Sequence, residues 1–453
     1  MKIESSPFKE VDPDTYVANM DAYWLPYTPN RYFKNKPKIM VGAKGVYYTD
    51  DHGRKLFDGA SGLWTCPLGH GDPRIIEAIQ KQYQKMDYVP AFQMAGSETF
   101  RLAERIVKYA PPGLNKVFFV NSGSEAVDTS LKIALAYHRA KGEASRTRFI
   151  GRERAYHGGC VGGISVGGIP ANRKAFGSMM IPGVDHLPHT LNLSQMAFSK
   201  GMPTWGAHLA DDLERIVLLH DASNIAAVIL EPVQGSTGVI VPPVGYLQKI
   251  REICDKHGIL LIFDEVITGF GRLAANFGAD RFGVKPDMIT FAKAITNGVI
   301  PMGGVIVRQD IYDTIINVGG QEQAIEFFHG FTYSGHPIAT AAAHASLDIF
   351  ENDGIMEKTK VLEKVLEEGV HSYKGMNGVM DIRNCGVSAG IDLEPIAGKP
   401  GLRGMQVLES CIENGILVRI TGDTIAMGPP FVATPSEVES FLETFGKVLQ
   451  KAF

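Results

Sequence analysis

Cysteine is scarce in this chain: 453 residues contain five, Cys66, Cys160, Cys254, Cys385 and Cys411. They are odd in number, widely separated, and no two form a Cys-x-x-Cys pair. That argues against a disulfide framework or a thiolate zinc site, and for a reducing compartment, the cytoplasm. No apolar run approaches the length of a membrane span, and residues 1–10 hold no apolar leader-type core. Charge of one sign is also missing. Lys and Arg number 45 against 49 Asp and Glu, a net charge of −4, so the chain has no electrostatic footprint for nucleic acid or an anionic membrane. Internal repeats and low-complexity segments are absent as well.

What is present fits a globular enzyme: 45% hydrophobic residues, 21% charged, and fifty glycines that gather where strands end. The length exceeds what one ordinary core supports, so a large domain plus a smaller one is expected. Residues 66–335 alternate apolar β-rich runs with helical patterns, the signature of a doubly wound α/β domain. Strands are predicted at 116–120, 225–230, 288–291 and 304–307, with another ending at Asp264. Residues 336–453 read as a smaller α+β domain. Its helices fall at 339–350 and 357–373, the latter with Val361, Leu362, Val365 and Leu366 on one face, and a hairpin pairs 416–420 with 424–427. Its last helix opens with a capping box, Thr434-Pro435-Ser436-Glu437. Residues 1–65, rich in Tyr and Pro, lack a core of their own and are expected to pack on the small domain and a partner subunit.

Lys293 is the most informative position. Phe291, Ala292, Ala294 and Ile295 surround it with apolar chain, and Asn297-Gly298 follows. Most lysines are surface groups, but one in an apolar, glycine-bounded loop is a candidate nucleophilic amine with a lowered pKa. Asp264 ends the preceding strand, and an acid and a lysine at neighbouring strand ends meet at one edge of a parallel sheet. That pairing suits pyridoxal phosphate: the amine condenses with the aldehyde and the carboxylate keeps the ring nitrogen protonated. Glu231, just after another apolar run, adds a second acid at the edge where α/β sheets bind ligands.

Ser122-Gly123-Ser124 follows a strand and opens a helix, which makes either an anion site or an ordinary N-cap. Tyr156-His157 in a glycine-rich stretch offers either a ring to stack on a planar cofactor or a packed aromatic pair. Arg419, interrupting an apolar strand, is either solvent-facing or a fork for a substrate carboxylate.

Together these motifs resemble the class III (ω-amino group) aminotransferases of the fold-type I pyridoxal phosphate superfamily, from about Trp24 to the C-terminus. The branch it most resembles is the ω-amino acid/amine:pyruvate one, through Tyr23-Trp24-Leu25-Pro26-Tyr27, the stretch from Asp58 to Trp64, Thr296-Asn297-Gly298 and the stretch from His329 to Pro337. Where the ornithine and γ-aminobutyrate branches typically carry glutamine, this chain has Ile267.

The resemblance implies a ping-pong transaminase that passes the amino group of an ω-amino acid or primary amine to pyruvate, giving alanine; aminomutases and racemases share the scaffold. It implies that Lys293 anchors the cofactor covalently and shuttles the proton, while Asp264 binds the ring nitrogen. Tyr156 and Val266 would cover the two ring faces, with His157 in support and Glu231 near the ring hydroxyl. Ser122, Gly123 and Ser124 would cradle the phosphate, and Thr332 would reach the cofactor of a neighbouring subunit in a homodimer or homotetramer. Arg419 would clamp the pyruvate carboxylate, and Tyr27 and Trp64 would wall the substrate pocket. No metal is implied.

Overall fold

The apolar runs Ile225–Leu230 and Leu260–Asp264 are buried at every position, as strands covered on both faces must be. In the computed structural model, which describes residues 20–453, they lie at the heart of a seven-stranded sheet. Its order is Leu114–Val120, Gly303–Arg308, Met288–Phe291, Leu260–Asp264, Ile225–Leu230, Arg148–Arg152 and Val184–Leu187. Gly303–Arg308 runs antiparallel to both neighbours, and all other pairings are parallel. The sheet is thus mixed but mostly parallel, as expected for an α/β fold.

Parallel pairing aligns the carboxyl ends of the strands. Leu230 is in register with Phe263, and Asp264 with Thr290. The residues that follow, Glu231, Glu265 and Lys293, therefore leave the sheet along a single edge.

Outside this sheet the chain departs from the sequence reading in two places. The segment 416–420, expected as one strand of a hairpin, is divided between two sheets. Ile416–Leu417 runs parallel to Lys55–Asp58, completing a four-stranded sheet with Met40–Lys44 and Tyr47–Asp50. After the buried Val418, Arg419–Thr421 pairs with Thr424–Met427 at the edge of a second four-stranded sheet, beside Ala389–Leu393 and Val379–Asn384. Each half thus satisfies its backbone groups in a different sheet. Alternating hydrophobicity is the same for either pairing and does not mark the switch. The second departure is Val361, which is 51% exposed; the buried stripe of helix Ile355–His371 runs through Thr359, Leu362, Leu366 and Val370.

The capping box at Thr434 forms as expected. Its hydroxyl accepts from Glu437 N at 3.2 Å, and the Glu437 carboxylate accepts from Thr434 N at 2.8 Å, opening helix Pro435–Ala452. One apolar core runs through all parts of the chain, from Phe57 and Leu68 through Phe263 and Ile295 to Leu362 and Phe441. A second lies on the other face of the large sheet, with Val127, Leu131, Ile229 and Val305.

Candidate active site

At the carboxyl edge of the large sheet, a cavity of about 160 Å³ is lined by Lys293, Asp264, Glu231, Tyr156, His157 and Val266, together with Gly123 and Ser124. Five stretches far apart in sequence converge because their strands end at one edge of the sheet. Gly158, Ile267 and Ala292, none of them expected to line the site, complete the wall.

Lys293 opens a short 3-10 turn, Lys293–Thr296, with φ at 49°, a left-handed conformation costly for a residue with a side chain. The turn is held from below by Asn297, whose Oδ1 accepts from Leu68 N at 2.9 Å and whose Nδ2 donates to Gly69 O at 2.7 Å. Burial pushes the Lys293 amine down to about 8; Asp264 and Glu231 oppose the shift, and Arg272 and Arg419 reinforce it. An amine poised there is partly free base near neutrality.

Asp264 is nearly inaccessible, at 5% exposure. Its Oδ1 accepts from Thr290 Oγ1 at 3.1 Å and Val266 N at 3.2 Å, while Oδ2 lies 2.7 Å from His157 Nδ1. His157 Nε2 is buried without a partner among the described residues. Glu231 accepts from Tyr156 N at 2.9 Å and Gly235 N at 3.2 Å. Burial nonetheless raises its carboxyl to about 7. Burial likewise raises the Tyr156 phenol to about 12, so it stays neutral.

The phosphate-type cradle is built at the N-terminus of helix Gly123–Ala140. First-turn amides of a helix have no intrahelical acceptor and carry the positive end of its dipole. Ser122 is the N-cap, accepting from Glu125 N at 3.1 Å, and does not line the cavity. Ser124 Oγ accepts from Gly159 N at 3.1 Å. A Cβ on Gly158 would fall 2.3 Å from Ser124 Oγ, and one on Gly123 would fall 2.8 Å from Val266 Cγ1, so glycine is required at both. The donor set is that of a phosphorylated pyridine aldehyde: backbone amides at a helix end, an acid beneath, an amine and an aromatic ring. The residues present fit pyridoxal 5′-phosphate.

The remaining expected residues lie outside the cavity wall. Tyr27 is 67% exposed, with its ring 6.2 Å from that of Tyr156 in an edge-on arrangement, and Asn172 Nδ2 donates to its hydroxyl at 3.2 Å. Arg419 is half-buried near Tyr156, and burial lowers its pKa. Thr332 is exposed and its carbonyl accepts from Tyr88 Oη at 2.9 Å. Trp64, expected to wall the substrate pocket, is 3% exposed and closely packed on Gly428, where an added Cβ would fall 2.6 Å from Nε1. Its backbone is left-handed, with φ 58°. A backbone in that conformation leaves no sequence signal.

The aminotransferase class-III family profile matches residues 30–449. The chain is 53% identical to an omega-aminotransferase of Caulobacter vibrioides, over 96% of this chain and 99% of that one. It is 49% identical to a beta-alanine–pyruvate aminotransferase of Pseudomonas aeruginosa, over 98% and 99%. Among solved structures, the omega transaminase of Pseudomonas jessenii in complex with PMP superposes with a TM-score of 0.90 at 32% identity, covering 99% of this chain and 98% of that one.

Proposed function

The chain belongs to the class III aminotransferases, and from that premise we propose that the residues around Lys293 carry out amino transfer from an ω-amino acid or primary amine to pyruvate. The fold is that of the fold-type I pyridoxal phosphate enzymes, and the cofactor is pyridoxal 5′-phosphate. The observation that carries the assignment of roles is the convergence of Lys293, Asp264 and the Gly123–Ser124 helix end on one cavity.

When bound, the cofactor supplies an aldehyde that accepts the amino nitrogen and an electron-poor ring that stabilises negative charge on the substrate carbon. Lys293 anchors it covalently. Its amine would also be the base that takes up and gives back the substrate Cα proton, and a pKa near 8 suits both directions. The Asp264 carboxylate would keep the ring nitrogen protonated, and His157 fixes the orientation of that carboxylate. Tyr156 and Val266 would confine the ring, Glu231 would serve its hydroxyl side, and the amides of Gly123 and Ser124 would receive the phosphate, with Ser122 capping the helix that presents them. Arg419 would receive the carboxylate of pyruvate or alanine, and Tyr27 would shape the pocket from its outer side, while the buried Trp64 packs behind it against Gly428.

Thr332 lies outside this cavity, in an exposed segment near the exposed aromatics Phe328, Tyr333 and Phe92. That placement supports a homodimer in which Thr332 serves the partner's cofactor. Five unpaired cysteines favour the cytoplasm, and none of the described helices is long and apolar enough to cross a membrane.

A panel of ω-amino acids, diamines and aryl amines incubated with the holoenzyme and pyruvate, with alanine quantified, tests the activity. Alanine formed in proportion to donor consumed is expected. Failure with every donor, or isomerised donor without alanine, overturns it.

A further inference from the structure

Arg419 stands on an edge strand, Arg419–Thr421, bound on one side only, to Thr424–Met427. Its start is fixed by the buried Val418 and by Ile416–Leu417 in the other sheet, which leaves its far end at Thr421 to be held by something else. Here the holding element is the loop 235–239, which follows Glu231 and is closed by the pairing of Gln234 with Ile240. Thr421 Oγ1 donates to Ser236 O at 2.8 Å. Two residues further on, Gly238 O accepts from Arg383 Nε at 2.8 Å.

Arg383 is itself 4% exposed and forks onto Asp392, with Nη1 and Nη2 at 2.8 and 2.9 Å from the two carboxylate oxygens. Asp392 Oδ1 accepts from Thr424 Oγ1 at 2.6 Å, and Thr424 is the strand partner of Thr421. Contact with the loop is close. Gly238 has φ 108°, a Cβ there would lie 2.7 Å from Thr424 Cγ2, and one on Gly390 would lie 2.2 Å from Gly238 O. At its other end the loop begins with Gly235 N donating to Glu231 Oε2 at 3.2 Å. Two hydrogen bonds, bridged by the backbone from Gly235 to Ser236, therefore join a carboxylate in the cofactor cavity to the strand that carries Arg419.

We propose that Thr421 and Arg383, acting through the loop 235–239, are positioning residues that set where Arg419 stands and thereby select acceptors bearing a carboxylate. The inference rests on the reading of Arg419 as the carboxylate clamp. Geometry makes it specific: losing the Thr421 tether leaves Lys293, Asp264 and the helix end in place but lets the edge strand drift.

The test uses the holoenzyme and two acceptors, pyruvate and an aldehyde without a carboxylate. Thr421→Val is expected to raise the pyruvate KM about fivefold, the worth of one lost hydrogen bond. The aldehyde KM and the visible absorption of bound cofactor are expected to stay at wild-type values, and Thr421→Ser to restore the pyruvate KM. Arg383→Lys keeps the buried charge without the fork and is expected to show the same selective rise. Equal effects on both acceptors, or an unchanged pyruvate KM, overturn the proposal. Arg419→Ala separates the two ideas. If it leaves the pyruvate KM unchanged, the clamp falls and the positioning role with it; if it raises that KM while Thr421→Val does not, only the positioning role falls.

Discussion

His157 Nδ1 lies 2.7 Å from Asp264 Oδ2, and the two side chains meet almost wholly out of contact with solvent. The other carboxylate oxygen is already occupied by Thr290 Oγ1 and Val266 N. The aspartate is thus fixed from three directions, and the histidine supplies the only contact to its outer oxygen among those described. Replacing His157 with Phe leaves that oxygen unpartnered in a buried site. A hydrogen bond to a charged group contributes about 1.5–3 kcal/mol, so cofactor affinity or kcat/KM is expected to fall about ten- to a hundredfold. His157→Asn, which can place an amide near the Nδ1 position, is expected to recover part of the loss. Wild-type turnover in the Phe variant would remove His157 from this role.

The Lys293 amine, held at about 8 against an ordinary 10.5, makes two predictions of definite sign. Covalent attachment of added cofactor to the apoenzyme needs the free base, so its rate is expected to rise with pH and level off above about 8. In the unfolded chain the lysine keeps its proton until about 10.5, so between these two values the unfolded state binds more protons. Apoenzyme stability therefore rises with pH across that window on account of this group. Lys293→Met is expected to abolish transamination and the visible absorption, and to remove that part of the pH dependence from chemical denaturation. Retained turnover would take Lys293 out of the mechanism.

These groups were legible in the sequence because strand ends are. Glu231, Asp264 and Lys293 each follow a short apolar run, and parallel register then brings them together without further information. Gly158 and Ala292 are harder to assign to the site, because a residue that merely lines a cavity carries no chemical mark, and Ile267 stands out only against the glutamine of other branches. Arg419 was visible as a charge in an apolar strand. The division of its strand between two sheets at Val418 was not, since both pairings bury the same faces. Trp64 shows a different limit. Its aromatic character is plain, but its burial against Gly428 and the left-handed backbone at Leu63 and Trp64 occur at residues with no preference for that conformation.

Glu265 is raised to about 7 by burial, even though Thr268 Oγ1 and the amides of Gly278 and Ala279 all donate to its carboxyl. A raised carboxyl keeps its proton in the folded state after the unfolded chain has lost it near 4.5. Its contribution to stability is full below 4.5 and is lost as pH rises to about 7. Glu231 acts in the same direction. Glu265→Gln is expected to lower stability at acid pH by about 1–3 kcal/mol, because one amide oxygen cannot accept all three bonds, and the deficit is expected to narrow as pH rises to about 7. It is also expected to flatten the decline between those two pH values. Denaturation midpoints measured across the range check this; an unchanged slope would show that Glu265 does not titrate there.

Asn297 joins the turn carrying Lys293 to the chain at Leu68 and Gly69 through two side-chain hydrogen bonds, and it does so from a left-handed backbone with φ 50°. Asparagine meets both demands, since it tolerates that conformation better than most residues and offers one donor and one acceptor. The two demands can be separated. Asn297→Gly keeps the backbone free to adopt the turn but loses both bonds, at an expected cost of about 1–3 kcal/mol for the buried groups left behind. Asn297→Val loses the bonds and adds the strain of a β-branched residue at positive φ, so its melting temperature is expected to fall further. Because the turn sets the height of the Lys293 amine, kcat is expected to follow the same order, wild type above Gly above Val. A Val variant as stable and active as the Gly variant would show that the left-handed turn does not constrain Lys293.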